Sequence, residues 1–115
     1  MSSSNVDRQM LKQCRELILQ NQWEPALSKA NAILEFHHEN YHALVFKGLA
    51  LLHLGQYAES EAAYSKATRI DPIQMLAWQG LEKAYESQKN WLKLMQMLEE
   101  VADLARREYV RAEIV

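Results

Sequence analysis

A row of three cations, four histidines and one cysteine are the side chains of this 115-residue chain whose types and spacing could do chemistry. Arg8, Lys12 and Arg15 stand at i, i+4 and i+7, so a helix through them presents all three on one face. Such a row suits an acidic partner, or is simply a solvated stripe. The histidines His37, His38, His42 and His53 raise the question of a metal. His38 and His42 are four apart, but a junction at Glu39-Asn40 places them on different helices. No cysteine or carboxylate completes a ligand set at a recognised spacing. They read as loop and surface residues. Cys14 has no histidine context that would activate a thiolate, and packing explains it better than nucleophilic chemistry. Glu99-Glu100 and Arg106-Arg107 read as solvated helix faces rather than a positioned acid–base pair. A Gly-rich phosphate loop, a Ser/His/Asp ordering and a paired-carboxylate site are all missing from the sequence. The reading is a protein that is not an enzyme, with no metal and no cofactor.

The elements that must carry these residues follow from composition and period. The length fits one domain, and 49% hydrophobic with 24% charged residues is too apolar for disorder. A lone cysteine excludes an intramolecular disulfide framework. No apolar run approaches a membrane span, and Met1–Asp7 lacks the basic and apolar regions of a signal peptide. A cytosolic or nuclear location is expected. The net charge of −2 argues against general attraction to nucleic acid. Three glycines and two prolines are too few for a β-rich chain. Apolar residues recur at helical intervals, as at Leu94, Met97, Leu98, Val101, Leu104 and Ala105. The fold class is all-α.

Self-comparison reveals a 34-residue period. Trp23, Tyr57 and Trp91 share one column. Leu17, Leu51 and Tyr85 share another, as do Ile33, Ala67 and Val101, and then Phe36, Ile70 and Leu104. Asn21 and Gly55 match too, with Lys89 in the third copy. Each copy reads as a helical hairpin. The first spans roughly Val6–Gln20 and Trp23–Phe36. In the second, Asn40 caps a helix running to about Leu54, Gly55 ends it, and Tyr57 opens the next helix to about Ile70. Asp71-Pro72 starts the third pair, roughly Ile73–Gln88 and Trp91 onward. As units, residues 1–5 are expected to be a flexible tail, with repeats at 6–40, 41–74 and 75–108. Residues 109–115 continue the last helix.

These copies resemble the tetratricopeptide repeat. Trp78, Leu81 and Tyr85 carry its pattern in the third copy, and Leu44, Gly48, Leu51, Tyr64, Ala67 and Pro72 carry it in the second. The first copy is poorest, with Met10, Cys14 and Leu17. Cys14 sits in the column of Gly48, where a small residue lets paired helices approach; Glu82 holds that column in the third. The resemblance implies a solenoid of three hairpins wound as a right-handed superhelix, with an extended last helix. Tyr109, Val110, Ile114 and Val115 keep the ending apolar where a terminal repeat needs a polar face. The expectation is therefore a longer solenoid cut near this point, with a weak dimer through the uncapped last helix as a further possibility.

In that repeat family the first helix of each hairpin lines a concave groove. Transferred to this register, the groove is expected to hold Arg8, Leu11, Lys12 and Arg15, then His42, Val45, Phe46, Leu49 and Leu52. The third copy adds Leu76, Gln79, Gly80, Lys83 and Glu86. An apolar strip around Phe46 beside the basic row would suit an extended or helical peptide with apolar anchors and an acidic end. Phe46→Glu is then expected to abolish binding without unfolding the chain. The family's clamp for chaperone tails needs cations and asparagines where this chain has Leu11, Phe46, Leu76 and Gly80, and only Arg15 keeps a positive charge.

Two stretches are more particular: Asn40-Tyr41-His42-Ala43-Leu44-Val45-Phe46-Lys47-Gly48, and Asp71 to Leu81 followed by Tyr85-Glu86. They look like the N-terminal repeats of the large tetratricopeptide subunit of the superkiller complex. That resemblance implies a cytosolic scaffold that holds helicase and propeller subunits and assists 3′-to-5′ mRNA decay by the exosome. The alternative is a generic peptide-binding adaptor, such as a co-chaperone or assembly factor. Direct RNA binding ranks last, because the groove columns change character from basic to apolar to mixed.

Overall fold

In the computed structural model, residues 3–114 are described, with side chains described for 5–108. Among these residues six helices follow one another: α1 (Ser3–Leu19), α2 (Trp23–Phe36), α3 (Tyr41–His53), α4 (Tyr57–Ile70), α5 (Met75–Ser87) and α6 (Trp91–Ile114). Each packs on the next, and α3 also touches α1 and α5. The first helices of the hairpins therefore form one layer and the second helices another. This is the all-α solenoid of three hairpins that the 34-residue period implies.

The hairpin turns show why the period is so regular. Asn21, Gly55 and Lys89 stand 34 apart, and all three have positive φ, at 59°, 80° and 55°. Each ends a helix in the left-handed conformation. The residue after it donates its N–H back to a carbonyl in the apolar column: Gln22 to Leu17, Gln56 to Leu51 and Asn90 to Tyr85, each at 2.9 Å. Lys89 thus adopts the same turn as Gly55 despite its side chain. Asn40 caps α3 as expected, its Oδ1 accepting the Ala43 N–H at 3.0 Å.

Two boundaries differ from expectation. Ser3–Asn5 belong to α1 rather than to a loose tail, while Met1 and Ser2 lie outside the described residues. Asp71-Pro72 does not open α5. Asp71 ends α4, and α5 begins only at Met75, with Gln74 donating from Nε2 to Asp71 Oδ2 at 2.7 Å. The Pro72 carbonyl instead accepts the Trp78 indole N–H at 2.9 Å. Pro72 therefore anchors the third hairpin from the linker. α6 runs past Glu108 to Ile114 as expected; the side chains of Tyr109, Val110 and Ile114, and all of Val115, lie outside the described set.

Tyr64 is the keystone of the core. It is 2% exposed, and its ring lies between Gly48 of α3 and Gly80 of α5. A Cβ at Gly48 would stand 2.8 Å from that ring, and one at Gly80 2.2 Å from it. One aromatic side chain from α4 thereby fills the space that two glycines leave in the neighbouring layer. Tyr41 adds a polar tie between repeats: its hydroxyl donates to the Gln74 carbonyl at 3.4 Å and accepts the Ala77 N–H at 3.0 Å. Around them Leu44, Val45, Trp78, Leu81, Tyr85 and Met97 complete a core shared by α3 to α6. A second cluster of Cys14, Ala26, Ala30 and Phe46 joins α1 and α2 to α3.

Candidate partner-binding face

The layer built from α1, α3 and α5 positions the cations. Arg8, Lys12 and Arg15 are exposed along α1. With Asn5, Gln9, Leu11 and His42 they line an open groove of about 590 Å³ between α1 and the start of α3. Among the described residues no carboxylate lines it. The ion pairs among the described residues are Lys93–Glu61 at 3.0 Å and Arg106–Asp103, and His37 Nε2 lies 3.1 Å from Asp7 Oδ2. None involves the three groove cations.

Five of the residues assigned to the groove from sequence, Arg8, Leu11, Lys12, Arg15 and His42, thus meet in one place. Leu49, Leu52, Lys83 and Glu86 meet in another, a recess of about 520 Å³ between α3 and α5 shared with His53, Tyr57 and Ser87. Val45 and Phe46 do neither. They are 4% and 9% exposed, Val45 in the α3–α6 core and Phe46 against Cys14, Ala26 and Ala30. The apolar strip is interior packing, and a glutamate at position 46 would put a charge in the core. Phe46→Glu therefore reads folding, not binding.

The other candidate chemistry resolves into structure. His37 faces Asp7, His38 Nδ1 lies 2.8 Å from the Leu34 carbonyl, and His53 stacks on Trp23 with ring centroids 3.9 Å apart. His42 meets Tyr41 edge-on at 5.4 Å. Among the described residues no group of three or more His, Cys, Asp or Glu is placed to hold a metal. The Cys14 thiol donates to the Ala26 carbonyl at 3.3 Å, and burial pushes its pKa up to about 11. A protonated, enclosed sulfur is a packing group rather than a nucleophile.

Sequence reasoning missed several contacts between repeats. Lys93 of α6 reaches back to Glu61 of α4, 32 residues away, and that bond raises the lysine's pKa. The ridge of α6 facing away from α5 is apolar and open: Trp91, Leu92, Met95 and Leu98 are 47–68% exposed. By the 34-residue register Leu98 stands where Tyr64 stands in α4. That column was readable, although nothing in the sequence says which copies of it are covered.

No protein-family model matches the chain. It is 42% identical over 86 residues to tetratricopeptide repeat protein 37 of Xenopus laevis, a match covering 75% of this chain. It is 40% identical over 86 residues to human superkiller complex protein 3, and 40% identical over 77 residues to superkiller protein 3 of Schizosaccharomyces pombe. The chain spans only 5–6% of the length of these relatives. Their names match the tetratricopeptide and superkiller resemblance carried by the stretches around Tyr41 and Trp78.

Proposed function

We propose that this chain is a non-catalytic protein-interaction module within a scaffold of the superkiller type, assisting exosome-mediated 3′-to-5′ decay of mRNA in the cytoplasm. The observation that carries this reading is the identity of 40–42% to tetratricopeptide and superkiller subunits. The architecture supports it. Helical hairpins stacked in two layers offer extended faces to protein partners, and no described residue cluster suggests catalysis. The partners are proposed to be the helicase and propeller subunits of such an assembly.

The test is a graft. The segment of fission yeast superkiller protein 3 that this chain matches would be deleted, or replaced by this chain, in otherwise intact protein. Recovery of the helicase and propeller subunits by affinity capture is expected to fall on deletion and to return with the graft. Loss on deletion with no return would overturn the reading, as would full recovery without the segment. The groove between α1 and α3 favours a second reading, a peptide-binding adaptor, whose ligand chemistry is argued next.

A further inference from the structure

We infer that the groove between α1 and α3 binds an acidic polypeptide segment in extended form, through Arg8, Lys12 and Arg15. The inference rests on the geometry of these two helices and stands whether or not the scaffold reading holds.

Charge complementarity is the first argument. Three cations line one groove, and among the described residues no carboxylate lines it with them and none of the three is in an ion pair. This is notable in a chain whose net charge is −2, with 15 acidic residues available to neutralise them. Close like charges repel, so the row gains most from an incoming anion.

Spacing is the second. On an α-helix, positions 8, 12 and 15 are separated along the axis by about 6 and 4.5 Å. Alternate side chains of an extended strand repeat every ~6.6 Å on one face. Acidic residues at every second position of an extended segment can therefore meet the row in succession. Arginine at both ends offers forked donors that suit carboxylates, with lysine as a point charge between. An incoming helix would need apolar ridges to pack against. Among the described residues Leu11 is the only apolar side chain lining this groove. An extended segment satisfies its contacts through side-chain charge alone.

Nucleic acid is the other polyanion to weigh. Single strands are held by aromatic platforms as well as cations. Among the described residues the groove lining has no Phe, Tyr or Trp, and the exposed aromatics Phe36, Tyr57 and Trp91 lie elsewhere. The recognised group is therefore a set of side-chain carboxylates within a chain.

The experiment uses the 115-residue chain with two fluorescein-labelled probes: a nonapeptide alternating glutamate and alanine, and a uridine dodecamer. Anisotropy titrations at 50 and 150 mM salt are expected to show saturable peptide binding that weakens with salt, and weaker binding of the RNA. Replacing glutamate by glutamine in the probe should abolish the signal. Arg8→Gln, Lys12→Gln and Arg15→Gln should each weaken the peptide about three- to tenfold, and the triple variant should lose it. Arg69→Gln, on the exposed face of α4, should change nothing. All four positions are exposed, and circular dichroism melts should coincide with the parent. Undiminished binding by the triple variant would overturn the proposal, as would an equal effect of Arg69→Gln. RNA binding tighter than the peptide and lost in the triple variant would reassign the groove to nucleic acid. None of these results depends on the graft, so either reading can fail alone.

Discussion

Tyr64 and the two glycines against it make the sharpest prediction at the scale of single residues. The ring is enclosed, so it cannot swing away from an added methyl group. Gly80→Ala would gain about 1 kcal/mol of helix propensity. It would also force atoms that would stand 2.2 Å apart to separate. Overpacking of that kind costs about 1–3 kcal/mol, and at so short a distance the upper end applies. Urea denaturation should show Gly80→Ala less stable than the parent and less stable than Gly48→Ala, whose clearance is 2.8 Å. In a Tyr64→Leu background the Gly80→Ala penalty should vanish. Persistence there would mean that the helix backbones, not the ring, set the limit. Cys14 gives a second prediction. Burial raises its pKa from 9.0 to about 11 in the folded chain, so the folded state holds the thiol proton more tightly than the unfolded state does. The stabilisation is fully present below pH 9.0 and is lost as pH rises towards about 11. Stability should therefore fall more steeply across that window in the parent than in Cys14→Ala. Parallel curves would contradict the shift. Tyr64, also raised by burial, contributes equally to both proteins and cancels in the comparison.

Helices and their ends form the next scale, and here the sequence was most legible. The 34-residue columns gave the six elements and nearly all their limits because turn chemistry and packing repeat together. Two limits misled: the expected tail contributes Ser3–Asn5 to α1, and Asp71-Pro72, a cap-and-proline pair, has the form of a helix start, yet the Pro72 carbonyl holds the Trp78 indole from the linker. The face of α3 was the larger gap. Tyr41, Ala43, Leu44, Val45, Phe46, Gly48, Ala50 and Leu51 are all buried, because α1, α2, α4 and α5 surround the helix. A helix apolar on nearly every side offers no polar stripe to orient it, and groove positions borrowed from a family register placed Val45 and Phe46 on the wrong face. Helix ends can be tested directly. Lys89 adopts a left-handed conformation that costs an L-residue about 1–2 kcal/mol. Lys89→Gly should raise stability by about 1 kcal/mol in denaturant melts, whereas Gly55→Ala, at φ 80°, should lower it similarly. An unchanged midpoint for Lys89→Gly would mean that its side chain offsets the strain. The two faces of α6 should also separate. Met97 is buried against the core, and Met97→Ala should cost about 2–4 kcal/mol. Met95 and Leu98 point outward, so Met95→Lys with Leu98→Lys should leave the melt unchanged and reduce any self-association seen by sedimentation. A large drop in stability for the double variant would place that face inside the fold.

The whole molecule follows from nearest-neighbour packing. Its radius of gyration is 15.3 Å, against about 13 Å for a compact domain of this length, and its extents are 42 × 38 × 22 Å. An array in which each hairpin touches only its neighbours distributes stability unevenly, because the middle unit has two interfaces and each outer unit has one. α3 touches four other helices, and α4 carries the tyrosine that locks α3 to α5. At the edges, the start of α1 lies beside a groove lined mainly by polar side chains, and the outward ridge of α6 is uncovered. Local opening should therefore cost most at the centre and least at the two ends. Amide hydrogen exchange is expected to be slowest in α3 and α4, faster in α2 and α5, and fastest in the first turns of α1 and the last turns of α6. Disrupting the Tyr64 junction with Tyr64→Ala should accelerate exchange across α3, α4 and α5 together, while α1 and α2 retain more of their protection through the Cys14–Phe46 cluster. Uniform exchange along all six helices, rising as one on that substitution, would instead make the chain a single cooperative unit with no gradient between repeats. The graded outcome has a functional consequence. The basic groove lies on the outer hairpin, where opening is easiest, so an acidic segment bridging Arg8, Lys12 and Arg15 should slow exchange in α1 far more than in α4.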